Sequence, residues 1–268
     1  MDKITAWDKV QIARDKDRPT ALDYIENIFD EFMELHGDRD YKEDGAIVCG
    51  LASLNGINYT IIAEQKGRDT KENIKRNFGM PNPESYKKAI RFMKQSEKFK
   101  RPIITFIDTK GAYPGIGAEE RGQGQAIAKA IETMSCVKVP TISYVIGEGS
   151  SGGALAIGVA DSVVMLENAI YSILSPEGYA SILWKDSSRK EEAADKMRLT
   201  AKDLLELDVI DKILLEPEGN AKHDINRMSE IIKEDIINTT NILMKKDVVS
   251  LLADRYKKYR NMGGNTKC

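Results

Sequence analysis

The rhythm of hydrophobic and polar positions changes at Gly45. Before it, residues 2–37 are polar and helix-forming, with Leu22, Ile25, Ile28, Phe29 and Phe32 at helical spacing and Asp23, Glu26, Asp30, Glu31 and Glu34 on the other faces. That pattern predicts one amphipathic surface helix. After it, the apolar runs 46–54 and 57–63 flank Asn55-Gly56. They predict a β-hairpin, because Asn-Gly accepts the positive φ angles of a two-residue turn. A segment with Gly67, Gly79, Pro81 and Pro83 then leads into a predicted helix over 84–98.

Repeated strand–loop–helix units follow. A buried strand over 102–107 leads into the loop 108–117, rich in glycine, and a helix over 118–134. A second buried strand over 139–146 leads into Gly147-Glu148-Gly149-Ser150-Ser151-Gly152-Gly153 and a short helix of small residues over 154–159. A third strand spans 162–166. Beyond Thr200, a candidate N-cap, the pattern gives a helix, a strand over 209–215 and two charged helices. Alternation of buried strands and helices argues for parallel β/α architecture. The residues 263–268 read as a disordered tail.

Composition narrows the classes. With 268 residues, 41% hydrophobic and 31% charged, the chain has material for one large core. Lys plus Arg is 40 and Asp plus Glu 42, so a net charge of −2 gives no bulk attraction to nucleic acid or membrane. No apolar run approaches the ~18 residues of a membrane span. The polar N-terminus predicts no signal peptide. Three distant cysteines (Cys49, Cys136, Cys268) fit neither a zinc ribbon nor a disulfide framework, so a cytoplasmic protein without metal is expected. Charge is lopsided only over 65–101, with 12 Lys/Arg against four Asp/Glu.

Three chemistries fit the segment 147–153. It matches G-x-G-x-x-G between strand and helix, with Glu167 ending the next strand, as a dinucleotide site has. It contains G-x-S-x-G, with Ser151 as nucleophile and His223 later in the chain, as a serine hydrolase has. It can also present backbone N–H groups at a helix N-terminus to a developing oxyanion. Two glycine loops at the carboxyl edge of one sheet favour the third.

Longer motifs around these loops are similar to a known family. Residues 111–123 (Gly-Ala-Tyr-Pro-Gly-Ile-Gly-Ala-Glu-Glu-Arg-Gly-Gln), 147–149, 151–158, Ser175-Pro176-Glu177-Gly178 and 180–185 resemble the α subunit of bacterial acetyl-CoA carboxylase carboxyltransferase. Upstream, 65–70 and 77–81 look like the same family, and the resemblance runs in order from about Thr20 to Pro217. The chain departs from the family pattern at Lys110, Ser150 and Tyr179, and again at Gly219-Asn220-Ala221-Lys222.

The resemblance implies an α/β ClpP/crotonase-like fold, a superhelix of repeated ββα units with N- and C-terminal helices. The division it suggests is a helical segment over 1–40, the carboxyltransferase domain over 41–222 and C-terminal helices over 223–262. It implies transfer of CO2 from N1-carboxybiotin, held on a separate biotin carboxyl carrier protein, to acetyl-CoA, giving malonyl-CoA for fatty acid synthesis. The backbone N–H groups of Gly152, Gly153 and Ala154 would then form an oxyanion hole. Tyr113, Gly115, Ile116 and Gly117 would shape the opposite wall, and Lys66 and Arg68 would meet the phosphates of coenzyme A. Partners implied are a zinc-containing β subunit in an α2β2 assembly, the carrier protein and biotin carboxylase. A ClpP-like serine hydrolase using Ser151, or a non-catalytic scaffold subunit, are the competing expectations.

Overall fold

A computed structural model describes residues 4–263, so the expected disordered tail lies outside the described residues but for Gly263. The N-terminal segment is not one helix. Helix α1 (Ala6–Ala13) opens on a capping box in which Asp8 N–H donates to Thr5 Oγ1 at 3.1 Å and Thr5 N–H to the Asp8 carboxylate at 2.8 Å. Helix α2 (Ala21–Ile28) opens on a second, built from Thr20 and Asp23. Between them Pro19 lacks the N–H a continuing helix needs and pushes Arg18 toward extended backbone. Strand β1 (Glu31–Glu34) follows and sets Phe32 opposite Ala52. Phe32 therefore leaves the helical face that its spacing suggested, and its ring fills the space beside Gly50.

The predicted hairpin is present as β2 (Ile47–Leu54) and β3 (Ile57–Glu64), with Asn55 at φ 51° and Gly56 at φ 77°. Helix α3 (Thr70–Lys75) and α4 (Pro83–Phe99) lead to β4 (Ile103–Thr109). The helix expected over 118–134 is two, α5 (Ile116–Glu120) and α6 (Gln123–Cys136), separated by Gly122 at φ 81°. Strand β5 (Thr141–Ser150) is longer than expected, and α7 (Ser151–Gly158) follows it directly. Then come β6 (Ser162–Leu166), β7 (Ile170–Ser172), α8 (Pro176–Trp184), α9 (Lys190–Met197), α10 (Ala201–Glu206, capped by Thr200) and β8 (Lys212–Leu214). Helices α11 (Ile225–Leu243) and α12 (Val248–Asn261) close the described chain.

Eight strands among the described residues form one sheet, seven of them in the order β1-β2-β3-β4-β5-β6-β8 and β7 pairing with β5 off that path. The first three are antiparallel and the rest parallel. Strand β5 changes partner along its length, pairing with β6 at 142–145 and with β7 at 148–150. One face carries Phe106 and Tyr144 against α2 and α11, where Phe106 stacks on Tyr24 and Tyr144 donates to Asp235. The other, with Thr105 and Ser143, lies under α4 and α7, and α6 packs on both helices. Parallel strands covered on both faces read as continuous apolar runs, which is why 103–107 and 142–146 were legible.

Candidate active site

Two strand–helix junctions meet at the carboxyl ends of β4 and β5. Ile107 faces Val145 and Thr109 faces Gly149, so β5 carries extra residues between these pairs. The Asp108 carboxylate occupies the room that the absent Gly147 side chain leaves, and accepts the Glu148 N–H at 2.9 Å. Gly147 and Gly149 thus belong to a strand rather than to a phosphate-cradling loop, which removes the dinucleotide reading. At Ser151 the chain takes φ 58°, a left-handed value, and turns straight into α7.

The first turn of α7 lies against the loop after β4. A Cβ on Gly153 would sit 2.7 Å from both Gly111 C and Ala112 N. Thr109 holds that loop by accepting the Gly111 N–H at 3.1 Å and donating to the Gly111 carbonyl at 2.9 Å. Ser150, the N-cap, makes no side-chain cap hydrogen bond. The N–H groups at the start of a helix have no partner within the helix and carry its positive dipole end. Here no capping side chain competes for them.

Two clefts, each of about 600 Å³, share Ser151 and Ile173 in their walls. The first is apolar, lined by Gly152, Leu155, Tyr171 and Tyr179 among others. The second is polar, lined by Lys110, Gly111, Ala112, Arg14, Glu148 and Glu177. Lys110, Ser150 and Tyr179, three of the positions noted above as departures, therefore all line a cleft, Lys110 and the buried Ser150 the polar one and Tyr179 the apolar one.

Buried charge braces this site from behind. Lys66 pairs with Asp108, and the Asp108 N–H donates to Glu64 at 3.2 Å. Burial, and then the Asp108 charge, push the Glu64 carboxyl well above its ordinary range. Arg14 bridges Glu148 at 2.7 Å and Glu177 at 2.8 Å. Burial works against the Arg14 cation, but the two carboxylates outweigh it and raise its pKa.

The expected site residues are distributed unevenly. Gly152, Gly153 and Ala154 form the first turn of α7. Pro114 lines the polar cleft, whereas Tyr113, Gly115, Ile116 and Gly117 lie one step beyond it, with the Tyr113 ring against Gly115. Gln123 ties this segment down, donating to the carbonyls of Pro81 (2.9 Å) and Tyr113 (3.0 Å). Lys66 is committed to Asp108, and Arg68 to Asp23 on α2, so much of the basic run is already ion-paired. Arg14, Glu148, Glu177, Tyr171 and Ile173 were not anticipated. Glu148 had a signal, a charge between two glycines at a strand end; Arg14 had none. Neither histidine lines a cleft: His36 faces Glu34 and Glu43 by β1, and His223 sits in a turn before α11.

Comparison with known proteins decides between the remaining chemistries. The family described as acetyl co-enzyme A carboxylase carboxyltransferase-like matches residues 1–263. The chain belongs to this family. The acetyl-coenzyme A carboxylase carboxyl transferase subunit alpha of Clostridium perfringens is 59% identical over 260 residues, covering 97% of this chain and 96% of that one. A fused protein of Natranaerobius thermophilus, carboxyl transferase subunits beta/alpha, is 62% identical over 261 residues. The chain spans 43% of that relative's length.

Solved structures agree on the fold. Transcarboxylase 12S aligns with TM-score 0.66 at 21% identity, covering 87% of this chain and 45% of that one. A Pseudomonas malonate decarboxylase, solved as a hetero-tetramer with coenzyme A, aligns with TM-score 0.61 at 18% identity, covering 81% and 89%. The crotonase-like fold expected from the motifs is therefore present. Within a family of acyl-CoA carboxyltransferases the serine hydrolase reading falls, in keeping with a Ser151 that has no histidine beside it.

Proposed function

We infer that this chain is the α half of the carboxyltransferase that moves a carboxyl group from carboxybiotin to acetyl-CoA, yielding malonyl-CoA. One observation carries the reading: the uncapped first turn of α7 opens between an apolar cleft and a polar one. The N–H groups of Gly152, Gly153 and Ala154 are donors that need no reorganisation as negative charge develops on an oxygen, each worth about 3 kcal/mol in acyl-transfer enzymes. Gly111 and Ala112, pressed against Gly153, hold the donors in place.

The residues present fit a ureido ring and a thioester. Leu155, Tyr171 and Ile173 give a dry wall beside the donors, and no side chain here has to act as acid or base. Carboxybiotin, when bound, supplies both the carboxyl group and the base. The chain's own part is then to accept the oxyanion at α7, exclude water on the apolar side and hold the acyl group between the loops 110–114 and 151–154. In this reading the acting unit is 41–222 together with Arg14. Coenzyme A phosphates would meet the basic run of which Lys66 and Arg68 are part, chiefly through Lys71 and Lys75. Those two cations carry no ion pair among the described residues.

The partners in this reading are a zinc-bearing β subunit, completing the cleft in an α2β2 assembly, a biotin carboxyl carrier protein and biotin carboxylase. Support comes from the fused beta/alpha relative and from the carboxyltransferase chain of which this fold spans 45%. A cytoplasmic location fits the free thiols of Cys49 and Cys136. The test is biocytin-dependent release of acetyl-CoA from malonyl-CoA. Activity only when this chain is mixed with its β partner is expected. A stable but inactive complex would point instead to a silent scaffold subunit.

A further inference from the structure

Formal charge in the polar cleft sums to zero, two carboxylates against Arg14 and Lys110, but the ion pairing leaves Lys110 out. Two carboxylates line it, Glu148 and Glu177, and Arg14 bonds both at once through Nε, Nη1 and Nη2. Lys110 lines the same cleft, is exposed, and has no ion pair among the described residues. Thr109 fixes the backbone next to it, bonding both the N–H and the carbonyl of Gly111. The positive end of α7 faces the same space. An ammonium without an ion pair, beside a helix N-terminus and with the neighbouring carboxylates both bonded to Arg14, is a local site for an anion.

We propose that Lys110 binds the carboxylate that is handed between the two substrates. The inference rests on the carboxyltransferase reading above. In that reaction a carboxylate sits on one substrate at the start of a turnover and on the other at its end, and it would share the cleft with the oxyanion held at α7. A flexible ammonium suits it, because a point charge can follow the group as it moves. The phosphates of coenzyme A are the competing anions, and the experiment separates them.

The test uses the complex with the β partner, running malonyl-CoA to acetyl-CoA with biocytin as acceptor, and compares wild type, Lys110→Met and Lys110→Arg. Free coenzyme A, which has the phosphates but not the malonyl carboxylate, serves as a competitive inhibitor. Lys110→Met is expected to raise KM for malonyl-CoA about tenfold, the size of one lost charge-assisted contact. Its inhibition constant for coenzyme A should stay within about twofold of wild type, and Lys110→Arg should recover most of the loss. An unchanged KM in an active complex would overturn the proposal. So would a coenzyme A inhibition constant that rises in step with KM, since that assigns Lys110 to a phosphate. A wild-type complex with no carboxyl transfer would overturn the carboxyltransferase reading and this proposal with it.

Discussion

Arg14 and Glu148 stand 134 residues apart in the chain and share a two-point ion pair, Nη2 to Oε1 at 2.7 Å and Nε to Oε2 at 3.0 Å. The pair fastens α1, the first helix, to the end of β5 immediately before the turn into α7. An N-terminal segment that reads as a solvated surface helix is thereby a wall of the polar cleft.

Removing the cation alone leaves Glu148, 2% exposed, as an uncompensated buried carboxylate. Breaking such a pair from one side costs about 3–5 kcal/mol. Arg14→Met should therefore lower stability by about 3 kcal/mol, at the low end because Arg14 is one-fifth exposed. Adding Glu148→Gln should return part of the loss by removing the stranded charge. Urea unfolding of the two variants checks this, and equal midpoints for wild type and Arg14→Met would sink it.

Gly152 and Gly153 are expected to part company. A Cβ on Gly153 meets backbone of Gly111 and Ala112 at 2.7 Å, and backbone has nowhere to go. A Cβ on Gly152 meets only Ile127 Cγ2 at 3.3 Å, a side-chain tip that can yield. Overpacking of the first kind costs about 1–3 kcal/mol. Gly153→Ala should thus lower Tm and slow carboxyl transfer by pushing the loops apart, while Gly152→Ala keeps a near wild-type Tm. If both variants melted alike, the close approach of the loops would not be what selects glycine at 153.

How much of this was legible depended on which interactions were local. The hairpin at Asn55-Gly56 and the Thr200 cap with Asp203 are local, and pattern reading reaches that far; the equally local Thr5/Asp8 cap was missed because residues 2–37 read as one helix. Strand β1 was hidden because four residues cannot separate a period of 2 from 3.6, and Phe32 suited both; Pro19 was the overlooked break. The extension of β5 through Gly147 depends on the Asp108 carboxylate, supplied by another strand. The glycines marked the junction into α7, although the helix begins at Ser151, three residues before the expected start. The Arg14 clamp was not, because nothing about one arginine in a polar stretch points to Glu148.

Ser151 offers a separate check on the chemistry. At φ 58° a residue with a side chain is strained, and glycine is not. Ser151→Gly should raise stability by about 0.5 kcal/mol, the relief of strain being partly offset by the freer unfolded chain. Ser151→Ala should leave carboxyl transfer within about twofold, since its hydroxyl has no histidine to activate it. Labelling of the wild type by a fluorophosphonate, abolished in Ser151→Ala, would restore the hydrolase reading.

Glu64 sets the pH dependence on the alkaline side. Its carboxyl is fully buried, one oxygen accepts the Asp108 N–H at 3.2 Å, and burial followed by the Asp108 charge pushes its pKa well above the ordinary value. In the unfolded chain it titrates near 4.3. Between these two values the folded state holds a proton that the unfolded state has released. Stability contributed by this group is therefore complete below about pH 4.3 and is lost as pH rises toward the folded value, by roughly 1.4 kcal/mol per pH unit. Glu64→Gln keeps an oxygen for the Asp108 N–H and cannot titrate. Wild type should fall steadily behind Glu64→Gln as pH rises from 5 to 8 in paired urea titrations. Parallel stability curves over that range would mean that Glu64 ionises in the fold at its ordinary pKa, with Lys66 compensating both carboxylates behind the site.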